Sequence, residues 1–165
     1  MKQNVEVKEK KIKRIIGHLG SKSTGPCCLF FGGVHGNEAS GTIALKQVLR
    51  YLENLDLQLK GSFYGLGGNL KALQTGKRYT TTDLNRLWTE NRMKAIEAGE
   101  YLASNEDEME LLELYSVIKK IMEKEEGPFY LFDLHTTSSK TVPFITLNDS
   151  LLNRKFAELF PLPLV

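Results

Sequence analysis

The stretch LFFGGVHGNEASG, Leu29–Gly41, decides how the rest of the sequence is interpreted. It continues an apolar run, CCLFFGG, whose composition is typical of a strand buried on both faces of a sheet. Two glycines then allow the backbone to turn sharply. From Glu38 to Glu53 the apolar residues recur at helical spacing. The stretch is therefore predicted to lead from a buried strand into an amphipathic helix.

The rest of the chain continues this alternation of strands and helices. Further strands are predicted in the segments KIKRIIGHLG (11–20), GSFYGLGG (61–68), GPFYLFDLH (127–135) and VPFITLN (142–148). Further helices are predicted over Asn105–Lys124 and from Leu151 to Phe160, whereas residues 69–88 are mostly loop with one helical turn near Leu70. Such alternation predicts βαβ units in a largely parallel sheet with helices on both faces. Functional sites in such sheets lie at the carboxyl ends of the strands.

Composition excludes several classes of partner. The 165 residues are about the size of one domain, 41% are hydrophobic, and the net charge is only +2. Neither nucleic acid nor a membrane is therefore expected as a partner, and the apolar runs are too short to span a bilayer. Cys27 and Cys28 are adjacent in an apolar setting, which favours buried free thiols in a reducing compartment. No apolar leader follows the first residues, so the prediction is a cytoplasmic protein of undetermined oligomeric state.

Two histidines fall at predicted strand ends. His35 follows the CCLFFGG strand with Glu38 three residues later, and His135 ends the FYLFDL strand. A catalytic zinc ion typically takes three protein ligands, and these residues form one such set. The His-x-x-Glu pair alone favours a simpler interpretation, a histidine in a turn and a glutamate in the first turn of a helix. With DLH at a second strand end, both interpretations stay open.

A third polar motif is RYTTTDLNR, Arg78–Arg86. A planar guanidinium group suits bidentate binding of a carboxylate, so this loop is a candidate for substrate binding. The alternative is a surface loop with one Asp–Arg ion pair, which would contribute little stability.

Together, GGVHGNE, RYTTTDLNR and DLHTT resemble the signature of the succinylglutamate desuccinylase and aspartoacylase family, in order and spacing from about Phe30 to Ser138. That family comprises zinc-dependent amidohydrolases related to the zinc carboxypeptidases. The resemblance implies a three-layer α/β/α fold of the zinc-carboxypeptidase-like (phosphorylase/hydrolase-like) kind, with a mostly parallel mixed sheet. It also implies one zinc ion per chain and hydrolysis of the amide bond of a small N-acyl amino acid. Alternatives are a zinc carboxypeptidase that acts on peptides and a truncated, non-catalytic module that binds zinc or carboxylates.

The resemblance also implies roles for individual residues. The zinc ligands would be His35, Glu38 and His135. Arg78 would polarise the scissile carbonyl and hold the oxyanion, while Asn85 and Arg86 would bind the carboxylate of the substrate. Asp83 matches a position that supports a zinc-ligating histidine. Because a ligating imidazole usually donates its other N–H to a carboxylate, we assign Asp83 to His35. Asp133 either supports His135 in the same way or pairs with a neighbouring loop.

The sequence departs from the family pattern in one respect. In the family, the general base is a glutamate on a later strand, but the sole glutamate after His135 is Glu158, which is predicted to be a solvated helix residue. Family members are also longer. The expectation is that residues 1–165 are the N-terminal part of a single zinc-dependent catalytic domain, without the remainder of that domain or any C-terminal β domain.

Overall fold

The sheet has four strands in the order β1-β3-β2-β4. The computed structural model describes residues 12–20, 25–55, 58–137 and 139–165. The strands are β1 Ile15–Gly20, β2 Cys27–Gly32, β3 Ser62–Gly67 and β4 Phe129–Leu134. β2 is parallel to both of its neighbours, β3 and β4, whereas β1 is antiparallel to β3. The predicted mostly parallel, mixed sheet is confirmed.

Helices cover both faces of this sheet. They are α1 Ser40–Glu53, α2 Leu70–Thr75, α3 Glu90–Glu97, α4 Glu106–Lys124 and α5 Leu151–Ala157, with a short 3-10 turn at Leu84–Arg86. The α4 residues Leu111 and Leu114 belong to one buried core with Leu29 of β2. On the opposite face, the α1 residues Leu45 and Leu49 lie over the glycines of β1 and β3. The predicted three-layer α/β/α arrangement is therefore confirmed.

Two segments differ from the predictions in whether they form a strand or a helix. The segment VPFITLN forms no strand, because only Ile145 finds a partner, in an isolated bridge with Leu164. A strand needs a neighbour along its length, and periodicity cannot report whether one is available. Helix α3 was not predicted, because it is polar and buries none of its residues. The first predicted strand begins at Ile15, and Lys11 lies outside the described residues.

The helix after β2 begins later than predicted. Its first residue is Ser40 and its N-cap is Ala39, so Glu38 precedes the helix instead of lying in its first turn. Cys27 and Cys28 are both free thiols, as predicted, but only Cys27 is buried, whereas Cys28 is partly exposed. In the part of the chain that the structure describes, every helix is too short or too polar to cross a bilayer.

Candidate metal centre

The topology brings the two histidines to one edge of the sheet. β2 and β4 are parallel neighbours, so their carboxyl ends meet at the same edge. His35 lies three residues after β2, and His135 directly follows β4. In the sheet, β3 lies on one side of β2 and β4 lies on the other, so the direction of the strand order switches at β2. Open α/β sheets bind ligands in the crevice at such a switch point.

Close backbone packing gives the loop after β2 its shape. Gly33 has φ +72°, in the left-handed region that favours glycine, and starts the turn toward His35. Gly41, in the first turn of α1, packs against the end of β4: a Cβ atom there would lie 2.8 Å from the carbonyl oxygen of Leu134. Beside this contact, the backbone N–H of Thr136 donates to the Glu38 carboxylate over 2.8 Å.

The three predicted ligands converge on one point. Nδ1 of His35 lies 3.1 Å from Oε1 of Glu38, and Nδ1 of His135 lies 3.0 Å from Oε2 of the same carboxylate. One donor atom from each residue falls within 4.8 Å of the others. His35 and Glu38 are buried, whereas the His135 side chain is 35% exposed, so the cluster opens to solvent on one side.

Each imidazole is held from behind by an aspartate. Nε2 of His35 lies 3.0 Å from Oδ1 of Asp83, the partner assigned to it from the sequence. Nε2 of His135 lies 2.5 Å from Oδ2 of Asp133 and 3.1 Å from the Asn85 amide. Burial raises the pKa of Asp83, but its hydrogen bond with His35 lowers it by more. Two carboxylates therefore contact the outer nitrogens, Nε2, and both Nδ1 atoms face the centre of the cluster.

The charges suit a cation between the side chains. The hydrogen bond with Asp133 raises the pKa of His135 to about 9, burial opposes this, and Glu38 adds to it. Burial also raises the pKa of Glu38, but hydrogen bonds from the Thr136 backbone N–H and with His135 lower it by more. In the metal-free protein, protonated His135 therefore balances the ionised Glu38 at neutral pH. A divalent cation would replace that proton and take both Nδ1 atoms and a carboxylate oxygen, a donor set that fits zinc.

The RYTTTDLNR loop lies beside this cluster. The Arg78 guanidinium is 3.4 Å from both Glu38 and Asp83, and its side chain is 50% exposed. Its backbone carbonyl accepts a hydrogen bond of 3.0 Å from Gly36, which ties the two loops together. The structure thus brings Arg78 to the cluster with its guanidinium facing solvent.

Asn85 and Arg86 occupy different positions. The Asn85 amide faces His135, so it is engaged with a candidate ligand and not directed only to solvent. Arg86 is exposed, and among the described residues its guanidinium has no hydrogen-bond or ion-pair partner. The structure does not bring the Arg86 side chain into contact with the three candidate ligands.

Two buried residues behind the loop were missed at the sequence level. Asp107 and Asn69 are both 0% exposed, and the Asn69 amide donates to the Asp107 carboxylate over 2.6 Å. Asp107 also accepts hydrogen bonds from backbone N–H groups of the RYTTTDLNR loop. An acidic residue in the first turn of a helix is already expected from the helix dipole, so its sequence position did not reveal this contact.

The amino-acid sequence is similar to those of one family of known proteins. Residues 24–160 match the profile of the succinylglutamate desuccinylase/aspartoacylase catalytic domain. The succinylglutamate desuccinylase of Pseudomonas aeruginosa (strain LESB58) is 28% identical over 118 residues, 72% of this chain and 33% of that protein. A probable aspartoacylase of Nostoc sp. is 29% identical over 110 residues, 66% of this chain and 34% of that protein.

Solved structures show the same likeness in fold. The crystal structure of the succinylglutamate desuccinylase from Chromobacterium violaceum matches with a TM-score of 0.54 at 24% identity, over 69% of this chain and 34% of that chain. The chain therefore spans about a third of the length of the relatives that it matches. The resemblance seen in the three motifs is confirmed.

Proposed function

Because the chain belongs to the succinylglutamate desuccinylase/aspartoacylase catalytic-domain family, we propose that it holds the zinc site of a hydrolase that cleaves small N-acyl amino acids. Residues 1–165 would form the N-terminal part of that catalytic domain. The bond cleaved would be the amide between the acyl group and the amino acid, as in N-succinylglutamate or N-acetylaspartate.

One observation carries the proposal. The carboxylate of Glu38 lies between two Nδ1 atoms, and the opposite nitrogen of each imidazole is held by an aspartate. Three donors oriented in this way, with one side open to solvent, are typical of a catalytic zinc site rather than a closed structural one. In this proposal, His35, Glu38 and His135 hold one zinc ion, which when bound would act as a Lewis acid and lower the pKa of water.

Arg78 would act on the carbonyl oxygen of the substrate. Its guanidinium lies next to Glu38, yet half of the side chain is exposed, so its free N–H groups can reach a bound ligand. As the carbonyl carbon becomes tetrahedral, negative charge develops on the oxygen, and fixed donors stabilise that charge more than they stabilise the ground state. Arg78 would therefore lower the barrier of the hydrolytic step.

Arg86 and Asn85 would recognise the carboxylate of the amino-acid part. The Arg86 guanidinium is exposed and retains its five donors for a carboxylate, which it can bind in a bidentate manner. Asn85 stands between the zinc cluster and Arg86 in the same short turn, so it can contact a substrate that spans the two. Glu158 is exposed just after α5, and no role in the reaction is proposed for it.

The proposal is tested by the release of free amino acid from a panel of substrates. Zinc-loaded protein that includes the remainder of the proposed catalytic domain, with its general base, is incubated with N-succinylglutamate, N-acetylaspartate and dipeptides with the same C-terminal residues. We expect the N-acyl amino acids to be hydrolysed and the peptides to be cleaved poorly. Arg86→Ala should raise KM, because it removes a contact made equally in the ground state and the transition state, whereas Arg78→Ala should lower kcat.

Two outcomes would contradict the proposal. A preference for the dipeptides would favour a carboxypeptidase. Zinc binding without hydrolysis of any member of the panel would favour a non-catalytic zinc or carboxylate-binding module. The matched control is His35→Ala, which should lose both zinc and any hydrolysis that depends on the proposed site.

A further inference from the structure

Asp107 occupies an unusual position for a charged residue. It lies in the first turn of α4, is 0% exposed, and accepts hydrogen bonds from four N–H donors. One donor is the Asn69 amide at 2.6 Å, and the others are the backbone N–H groups of Thr80, Thr81 and Thr82 at 3.1, 2.5 and 2.9 Å. A buried carboxylate is stable only with such a complete set of partners.

The three threonines form the middle of the loop that carries the candidate active-site residues. Arg78 stands two residues before Thr80, and Asp83 directly follows Thr82. The loop runs across the surface without strand or helix hydrogen bonds at these three residues, so Asp107 supplies the partners that secondary structure would otherwise supply. Asp83 therefore directly follows three residues that are held by a carboxylate, and among the described residues this carboxylate has no hydrogen bond or ion pair with the three candidate ligands.

A second buried carboxylate on the same helix provides a comparison. Glu110 is 6% exposed, pairs with buried Arg14 and accepts hydrogen bonds from the backbone N–H groups of Leu70 and Lys71 at 2.9 and 3.2 Å. It thus fixes the start of α2 and makes no described contact with Thr80–Thr82. Loss of either carboxylate would weaken the fold, but only Asp107 is connected to the loop that holds Asp83.

We propose that Asp107 is a positioning residue for the zinc site: by binding three consecutive N–H groups, it holds the 80–82 loop so that Asp83 can orient His35. This inference rests on the zinc site of the proposed function. Asp107, on α4, would then support the site from one step further out than the candidate ligands and the aspartates that contact them. This role also explains why a charged side chain occupies a fully buried position.

Zinc affinity tests the proposal without any measurement of activity. The affinity is measured by competition with a chromogenic chelator for wild type, Asp107→Asn, Asp83→Ala and the double variant, in buffer where each protein is folded. Residues that support a ligating histidine typically contribute 10–100-fold to metal affinity. Asp107→Asn should therefore bind zinc about tenfold more weakly. In the Asp83→Ala background it should have little further effect, because both changes act through the same contact.

The matched control is Glu110→Gln, which removes a buried carboxylate of the same helix and should leave zinc affinity unchanged. Unchanged affinity in Asp107→Asn, an equal loss in Glu110→Gln, or fully multiplicative effects of Asp107→Asn and Asp83→Ala would each overturn the proposed role. If wild type binds no zinc, the zinc site itself is wrong, which is a distinct result and removes the basis of this role as well.

Hydrogen exchange provides a readout that needs no variant, should Asp107→Asn fail to fold. In wild type, the amides of Thr80, Thr81 and Thr82 should exchange as slowly as those in the middle of α4, since a buried carboxylate holds them. Exchange of these amides at the rate of an exposed loop would contradict the proposed role of Asp107.

Discussion

Replacement of Gly41 by alanine tests whether the close packing of α1 against β4 builds the metal centre. A Cβ atom at this position would lie 2.8 Å from the carbonyl oxygen of Leu134 and 3.1 Å from the Cα atom of Gly32. Both neighbours are backbone atoms, which cannot move aside as the end of a flexible side chain can. The added methyl group must therefore push the first turn of α1 away from the carboxyl ends of β2 and β4.

Two opposing terms set the change in the free energy of unfolding caused by Gly41→Ala. Alanine in place of glycine inside a helix stabilises it by about 1 kcal/mol. Overpacking of a tight contact costs about 1–3 kcal/mol. Because the contact is with backbone on two strands, we expect a steric cost of about 2–3 kcal/mol, in the upper part of this range, and a net fall in the free energy of unfolding of about 1–2 kcal/mol.

The displacement should also affect zinc binding, because Glu38 lies three residues before Gly41 and contacts both His135 and the Thr136 N–H. A binding constellation tolerates errors of only about 0.5 Å, so zinc affinity should fall about tenfold or more. Urea unfolding of the metal-free protein measures the first effect, and chelator competition measures the second. Gln47→Ala, on the exposed face of the same helix, is the control. A Gly41→Ala protein that is more stable than wild type and binds zinc equally well would refute this reasoning.

Three further changes test other parts of the account. Asp83→Ala should weaken zinc binding by about 10–100-fold, measured by chelator competition, because His35 loses the partner that orients it; unchanged affinity would contradict the role of that contact. In the metal-free protein, the pKa of His135 is raised to about 9, mainly by Asp133, so protonated His135 stabilises the fold. This contribution to the free energy of unfolding is complete below about pH 6.5 and should be lost as the pH rises through 9. Urea unfolding at pH 6.5 and 9 should show that loss in wild type, and Asp133→Asn should reduce it. Glu125→Gln, at the opposite end of the strands, should cost about 1–3 kcal/mol in thermal unfolding without changing zinc affinity, because one of the two buried hydroxyl groups that donate to the carboxylate then faces an amide NH2 group and loses its acceptor.

The parts of the fold that were predicted correctly have local signals. The buried strand of CCLFFGG and the glycines after it specify where β2 ends, and the parallel sheet then brings His35 and His135 to one edge. The approach of the two histidines follows from the sheet topology. The chemistry at two strand ends could therefore be anticipated from residue types and spacing.

The parts that were missed depend on partners distant in sequence. The strand predicted in VPFITLN has the required composition, but only Ile145 finds a neighbour. In α4, Met109 is 59% exposed whereas Leu111 is fully buried; apolar residues occur all around this helix, so their spacing does not identify the buried face. The offset of Glu38 from α1 arises because Ala39 caps the helix without a side-chain hydrogen bond, which leaves no start signal in the sequence.

The same limit applies to Asp107. Three acids open α4, at Glu106, Asp107 and Glu108, and all three complement the helix dipole equally well. Only the arrangement of the threonine loop in space distinguishes the buried one. Buried polar networks depend on tertiary contacts, so periodicity alone does not identify them.

The most direct measurement is a crystal structure of the zinc-loaded protein with anomalous diffraction recorded at the zinc edge. The account predicts one zinc ion per chain, bound by Nδ1 of His35, Nδ1 of His135 and a carboxylate oxygen of Glu38, at roughly 2.0–2.2 Å. Asp83 should remain hydrogen-bonded to Nε2 of His35, and Asp133 to Nε2 of His135. Zinc bound through Nε2, zinc at another place on the chain, or no anomalous peak between these three side chains would contradict the central claim.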